Sequence, residues 1–278
     1  MMSTDLYCVM GNPVEHSKSP WIHARFAQLA GQDLRYEKRL VALGGFVPAV
    51  QAFRAEGGKG CNVTVPFKFD AARLATRLTP RAELAQACNT LRFDGAEVIG
   101  DNTDGIGLVG DITRNAGVQL AGRDVLLIGA GGAAAGVLGP LVQAMPRRVV
   151  VANRTQAKAA SLILRHSSLA RAEGVELAAP PLKEVTAGFD VVINATATSM
   201  SGAAVPVPFA VLKPGALACD LMYGPAASGF MEWARSHGAV ARDGLGMLVE
   251  QAAESFLLWR GVRPPSAQVL AELRANLG

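Results

Sequence analysis

The stretch GCNVTVPFK, residues 60–68, places a cation just beyond a strand-like run. Asn62 and Thr64 alternate with Val63 and Val65, so one face of the run is apolar and the other is amide and hydroxyl. Pro66 ends the run and Lys68 follows. A half-exposed strand alternates in the same way, so the meaning of Lys68 depends on the rest of the chain. The chemistry open to it is proton transfer. When hydride adds to a ketone, the alkoxide that forms needs a proton, and a lysine ammonium supplies one while stabilising the developing negative charge. In the reverse direction the same side chain must start neutral, which favours alkaline pH. Asp104, in the turn GDNTDG, is a carboxylate able to orient that ammonium.

Further polar residues sit at the ends of short elements. Asn89-Thr90 and Asp101-Asn102-Thr103-Asp104, taken with Asn62, Thr64 and Gln251, make a set suited to a hydroxylated ring. Turn formation alone also favours Asn, Asp and Gly in GDNTDG. Upstream, NPVEHSKSP (12–20) leads into an amphipathic helix with Trp21, Ile22, Phe26 and Leu29 on its apolar side. Ser19-Pro20 reads as an N-cap followed by proline at the first helical position. Two hydroxyls at a helix start, Ser17 and Ser19, form a carboxylate site. Ordinary capping explains Ser19 but leaves Ser17 without a purpose.

A second centre lies in GAGGAAAG (129–136), which follows an apolar run and opens a helical pattern. Glycines in that context, Gly129, Gly131 and Gly132 with Ala130 and Ala133, let a pyrophosphate approach the backbone at a helix N-terminus. The spacing departs from a strict G-x-G-x-x-G. An enzyme of this design that uses NAD carries an acid at the end of the next strand, to hold the ribose 2′-hydroxyl. Here that strand ends Ala152-Asn153-Arg154-Thr155, with Lys158 four residues after Arg154 and no carboxylate. Two cations in place of an acid fit a 2′-phosphate, so the expected cofactor is NADP.

Short apolar runs alternate with helical patterns along most of the chain, which predicts an α/β fold with largely parallel sheets. The first series reads strand 7–10, helix from Pro20, strand 36–40, helix 46–56, strand 61–65, helix 70–78, strand 90–93 and then the turn GDNTDG. A second series restarts at Asp124 with VLLIG, the glycine turn, a helix, strand 148–152, a further helix, VVINAT and the strand 216–221. The tail from Gly244 is helical, with Met247, Leu248, Ala252, Phe256 and Leu257 at helical spacing. These restarts predict two α/β domains with a cleft between them. Residues 1–104 with 244–278 form the first, closed by the C-terminal helices; residues 105–243 form the second, a Rossmann-like nucleotide-binding domain.

Half of the 278 residues are hydrophobic and 18% are charged, as in a core-forming globular chain. The net charge of +4 is scattered, without the concentrated basic face that nucleic acid requires. Cys8, Cys61, Cys88 and Cys219 are far apart, and neither they nor the four histidines show metal-ligand spacing. Reduced thiols, no metal and a cytoplasmic location are expected. The N-terminus lacks the pattern of a signal peptide. The apolar run 125–142 holds five glycines and a proline, so it reads as strand, turn and helix and not as a membrane span.

NPVEHSKSP, GKGCNVTVPFK, CNTL, GDNTDGIG, LLIGAGGAAAG, NRT, INAT and GLGMLVEQAA together resemble, in order and spacing, the motif series of the shikimate dehydrogenase family over almost the whole chain. The resemblance implies NADPH-dependent reduction of 3-dehydroshikimate to shikimate, on the route to chorismate and the aromatic amino acids. It implies Lys68 as the catalytic residue with Asp104 as its partner, and Ser17 and Ser19 on the substrate carboxylate. Asn62, Thr64, Asn89, Asp104 and Gln251 would face the hydroxyls, with Tyr223 nearby. Gly129, Ala130, Gly131, Gly132, Ala133, Asn153, Arg154, Thr155, Lys158, Leu221 and Gly244 would line the NADP site. The partners implied are the small substrate and cofactor, with no nucleic acid or membrane, for a monomer or homodimer. Two rivals remain: a quinate/shikimate dehydrogenase preferring NAD, against which Arg154 argues, and a non-catalytic NADP-binding regulatory module, which would lack Lys68 or Asp104. Two departures from the family pattern stand out, Gln86 and Ser199, both where the family has glycine.

Overall fold

The computed structural model describes residues 4–186, 188–196 and 205–277. It divides into two compact units, residues 1–107 with 249–278 and residues 108–248. Ser199 lies outside the described residues.

The first unit is built on a six-stranded sheet ordered β2-β1-β3-β5-β6-β4. The central strands β1 (Asp5–Gly11) and β3 (Gly58–Val63) are almost wholly buried, and β2 (Leu34–Leu40) alternates charged residues with the inward Tyr36 because it is an edge strand. These three run parallel. β5 (Thr90–Asp94) then pairs antiparallel with β3, and β6 (Glu97–Asp101) folds back antiparallel on β5 around Gly95, whose φ is +57°. The pairings of β5 are thus the antiparallel exceptions in a fold whose other strand pairs are parallel, as expected, and EVIGD is a strand where none was expected. β4 (Arg77–Leu78) pairs with β6, so the helix α3 (Lys68–Leu74) stops short of the expected 78. β3 stops at Val63, before the expected 65, and the exposed Val65 precedes a cis proline.

Helices close this sheet. α1 (Ser19–Ala30) buries Ile22, His23 and Phe26, while the later part of α9 (Leu245–Arg260) brings in Phe256 and Trp259. Trp259 Nε1 donates to the Leu91 carbonyl at 3.0 Å, and a Cβ on Gly60 would lie 2.6 Å from that indole nitrogen, so only glycine fits there. α10 (Ser266–Leu277) is fastened to α1 through Glu272 and Arg25 at 2.6 Å.

The second unit holds a parallel sheet ordered β12-β11-β10-β7-β8-β9. Its strands are β7 (Asp124–Ile128), β8 (Arg148–Ala152), β9 (Glu176–Ala178), β10 (Phe189–Asn194), β11 (Leu212–Asp220) and β12 (Val240–Arg242). The order reverses between β7 and β10, so the carboxyl ends of those two strands mark the switch point where doubly wound folds bind ligands. At the opposite, amino ends, Asp124 holds Arg147 at 2.5 Å and Arg148 at 3.3 Å, and Asp190 holds Lys213 at 2.8 Å. All four cysteines are buried and free, with Cys8 and Cys61 opposite one another on β1 and β3. Among the described residues no helix is long and apolar enough to cross a membrane, and no cluster could hold a metal.

Candidate active site

Lys68 is the first residue of α3, held at the end of a turn whose Phe67 is buried and stacks on Phe46 at 5.3 Å. Its Nζ lies 2.5 Å from Asp104 Oδ2, and the two side chains are only 14% and 6% exposed. The Lys68 carbonyl accepts from the Cys88 amide at 2.9 Å, which fixes the helix start against the segment carrying Asn89. Asp104 opens α5 (Asp104–Gly110) and takes a second bond on Oδ1, from Asn89 Nδ2 at 2.8 Å. A carboxylate with both oxygens engaged cannot rotate away from the ammonium.

Asn89 is the hub of what lies beyond. Its amide hydrogens are shared among Asp104, Thr103 Oγ1 at 2.9 Å and Gln251 Oε1 at 3.1 Å. Its Oδ1 accepts from the Thr103 amide at 2.8 Å and from Thr90 Oγ1 at 3.0 Å. Asn62 joins through Thr90 at 3.0 Å and Ser255 at 2.9 Å, and its Oδ1 accepts from the Tyr36 hydroxyl at 2.7 Å. Lys68, Asp104, Asn89, Gln251 and Asn62 thus belong to one hydrogen-bonded array. Burial pushes the Tyr36 phenol well above its ordinary range, with the Ser19 hydroxyl beside it working the other way.

Behind Tyr36 sits His23, fully buried, its ring parallel to the phenol at 4.3 Å. Neither ring nitrogen meets a partner with hydrogen-bond geometry among the described residues, and burial pushes the imidazole down to about 3, with the nearby Asn62 side chain working the other way. It remains neutral at any working pH and serves as a flat packing surface.

In the second unit Gly129 follows β7 at φ +117°, and a Cβ there would fall 2.9 Å from the Ala195 carbonyl. Gly131 caps α6 (Gly132–Gln143), so the helix N-terminus opens directly onto the glycine turn. Asn153 Nδ2 bonds the Thr155 carbonyl at 2.9 Å, shaping the turn that presents Arg154 before α7 (Gln156–Glu173). Arg154 precedes the helix cap and Lys158 lies in the first turn, both exposed. Among the described residues no carboxylate pairs with either, and none ends β8. Leu221 and Gly244 touch, since a Cβ on Gly244 would come within 2.3 Å of the Leu221 carbonyl. A turn that excludes a Cβ, a free helix N-terminus and unpaired cations fit a dinucleotide bearing a 2′-phosphate.

Family models match three stretches of the chain. They are described as the shikimate dehydrogenase substrate binding domain over residues 9–91, shikimate / quinate 5-dehydrogenase over 111–201, and the shikimate 5′-dehydrogenase C-terminal domain over 244–274. A shikimate dehydrogenase (NADP(+)) from Acidovorax sp. (strain JS42) is 66% identical over 275 residues, covering 99% of this chain and 98% of that protein. The chain belongs to the shikimate dehydrogenase family. Among solved structures, an Ael1 enzyme from Pseudomonas putida is 44% identical with a TM-score of 0.86, over 97% of this chain and 98% of that one. The shikimate 5-dehydrogenase of Thermus thermophilus, in complex with NADP(H) and shikimate, is 29% identical with a TM-score of 0.84, over 98% and 100%.

For a member of the shikimate dehydrogenase family, several expected residues fall differently from their reading in the sequence. The residue capping α1 is Lys18, with Ser19 and Pro20 already helical, and no side chain caps it. Ser17 Oγ instead accepts from the Ser19 amide at 3.2 Å, so local backbone geometry explains Ser17 and leaves Ser19 to Tyr36, the reverse of the expectation. Thr64 lies beyond β3, and its hydroxyl makes no hydrogen bond among the described residues. Asp101 is a structural anchor, clamped by Arg81 at 2.7 and 2.5 Å and by Thr79 at 2.6 Å. Tyr223 belongs to the second unit, just before a short turn at Gly224–Ala227. Gln86 adopts φ +51° at the end of α4 (Pro80–Ala85), the left-handed geometry a glycine would take, so the helix end is kept with a less suitable residue. Tyr36 and Ser255 escaped the sequence reading. Ser255 carried a faint signal, four residues after Gln251 on one helix face.

Proposed function

We propose that this chain catalyses the reversible reduction of 3-dehydroshikimate to shikimate with NADPH, on the route to chorismate and the aromatic amino acids. The observation that carries the reading is the buried 2.5 Å pair of Lys68 and Asp104, tied through Asn89 to Gln251. NADPH, when bound, supplies the hydride. Lys68 donates a proton to the oxygen that was the carbonyl as that oxygen gains negative charge, and Asp104 holds the ammonium on target. In the oxidative direction Lys68 takes the hydroxyl proton back.

The remaining roles are those that the family resemblance implies. Ser17 and Ser19 receive the substrate carboxylate, while Asn62, Thr64, Asn89 and Gln251 face the ring hydroxyls. The stretch from Gly129 to Ala133 receives the pyrophosphate, and Asn153, Arg154, Thr155 and Lys158 hold the adenosine end with its 2′-phosphate. Leu221 and Gly244 complete the cofactor site. The absence of an acid at the end of β8 favours NADP over NAD. Free, buried thiols and an NADPH-consuming reaction suit the cytoplasm, with a monomer or homodimer as the working form.

Steady-state reduction of 3-dehydroshikimate with NADPH and NADH, side by side, tests this reading. Turnover with a strong preference for NADPH is expected. No turnover with either nucleotide at saturating substrate sinks the assignment.

A further inference from the structure

The loop after β9 carries another cation toward Arg154. Leu182–Glu184 form a single 3-10 turn entered through Pro181, and Lys183 in that turn lines the same pocket as Arg154. The two turns are fastened together, because Gln156 at the start of α7 donates Nε2 to the Ala179 carbonyl at 3.1 Å. Pro181, Pro206 and Pro208 add a stiff, apolar portion to the same lining. The pocket measures about 500 Å³, inside the range of roughly 300–1,000 Å³ typical of small-molecule sites.

Charge distribution singles this pocket out. At the amino ends of the same sheet Arg147, Arg148 and Lys213 are all neutralised by Asp124 and Asp190. Among the described residues neither Arg154 nor Lys183 has such a partner, and Glu184, the acid in the turn, does not line the pocket. Two unneutralised cations facing one cavity repel each other until an anion sits between them. Lys158, one turn into α7, does not line the cavity either, so Lys183 is the cation that shares the lining with Arg154.

We propose that Lys183 is a further specificity-determining cation for the 2′-phosphate of NADP, sharing it with Arg154 while the purine lies along the prolines of the lining. This rests on reading the second unit as the NADP site. Arg154 offers the phosphate a planar fork and Lys183 a point charge, a combination that a 2′-hydroxyl cannot exploit.

The test compares Lys183→Gln, Lys183→Arg and Arg154→Gln. Two ratios are read: kcat/KM for NADPH over NADH, and calorimetric affinity for 2′,5′-ADP over 5′-AMP. Lys183→Gln should lower both about fivefold, as for one charged contact at an exposed site, and Lys183→Arg should keep them near the parent values. Arg154→Gln should lower them at least as much. If Lys183→Gln leaves both ratios at the parent values while Arg154→Gln lowers them, the role of Lys183 is overturned and the NADP site stands. If neither change moves the ratios, the NADP reading of this pocket falls with it.

Discussion

The polar residues gathered around Asn89 in the first unit answer one another, whereas three cations of the second have no such partner. Asn62, Asn89, Thr90, Thr103 and Ser255 are buried and mutually bonded, yet Arg154, Lys158 and Lys183 are exposed and, among the described residues, unpaired. The difference matches the two ligands proposed for these regions. A hydroxylated ring is recognised by direction, so its partners must already be fixed, and a ligand hydroxyl gains little net affinity by exchanging one hydrogen bond for another while a misplaced one loses much. A phosphate is recognised by charge, which acts at a distance, needs little prior order and is weakened by salt.

Breaking the fixed side at its catalytic end should have the largest effect. Lys68→Ala is expected to lower kcat by roughly 10²–10⁴-fold, the span for a lost general acid. Shikimate affinity should change much less, because Asn89 and Gln251 are untouched. A kcat kept near the parent value in the variant would assign the proton to another group.

A second way to separate the regions is acid. His23 is held down to about 3 by burial, against a reference near 6.5 for an unfolded chain. Between those values the unfolded chain takes up a proton that the folded one refuses, so stability falls with pH by about 1.4 kcal/mol per unit. Denaturant melts of the parent and His23→Phe, from about pH 7 to 4.5, should diverge as pH drops, the variant losing less. Parallel curves would show that His23 does not set the acid limit of the first unit.

The serines test where the fixed side ends. Ser17→Ala and Ser19→Ala are each expected to weaken shikimate binding by about 1–3 kcal/mol, as for a hydrogen bond lost to a charged group. An analogue without the carboxylate should be nearly indifferent to both. Equal losses for substrate and analogue would make these serines parts of the α1 entry alone.

The smallest effect should come from salt. Between about 0.1 M and 1 M the screening length falls from roughly 10 Å to 3 Å. The KM for NADPH should rise several-fold while that for 3-dehydroshikimate moves less. A larger shift for the substrate would invert the contrast between the two regions.

The same contrast explains what could be read from the chain. The glycine turn between strand and helix was legible because its determinants are local: an apolar run, glycines and a strand end without an acid lie within some thirty residues of one another. Asn62 and Asn89 stood out as polar residues at the ends of short elements, but their partners did not, since their bonds reach far along the chain. Ser255 meets Asn62 across 193 positions and Tyr36 meets it across 26. Such partners leave no periodic trace. Asp101 misled because its residue type suits a turn, while its fate was decided by Arg81 some twenty residues earlier. β6 was missed because EVIGD is short and flanked by turn residues, and only pairing with β5 and β4 makes it a strand. The exchange between Ser17 and Ser19 has the same origin, because the backbone of Lys18, not the identity of the serines, fixes where α1 begins.

The four buried thiols have a use unrelated to catalysis. Cys8, Cys61 and Cys88 belong to the first unit and Cys219 to the second. An alkylating reagent reaches a buried sulfur only when the surrounding structure opens, so the labelling rate of each cysteine, read by peptide mass, is a clock for local unfolding. The unmodified protein therefore carries an intrinsic stopwatch in each unit. Running both with and without nucleotide shows which unit tightens when ligand binds, with no probe introduced.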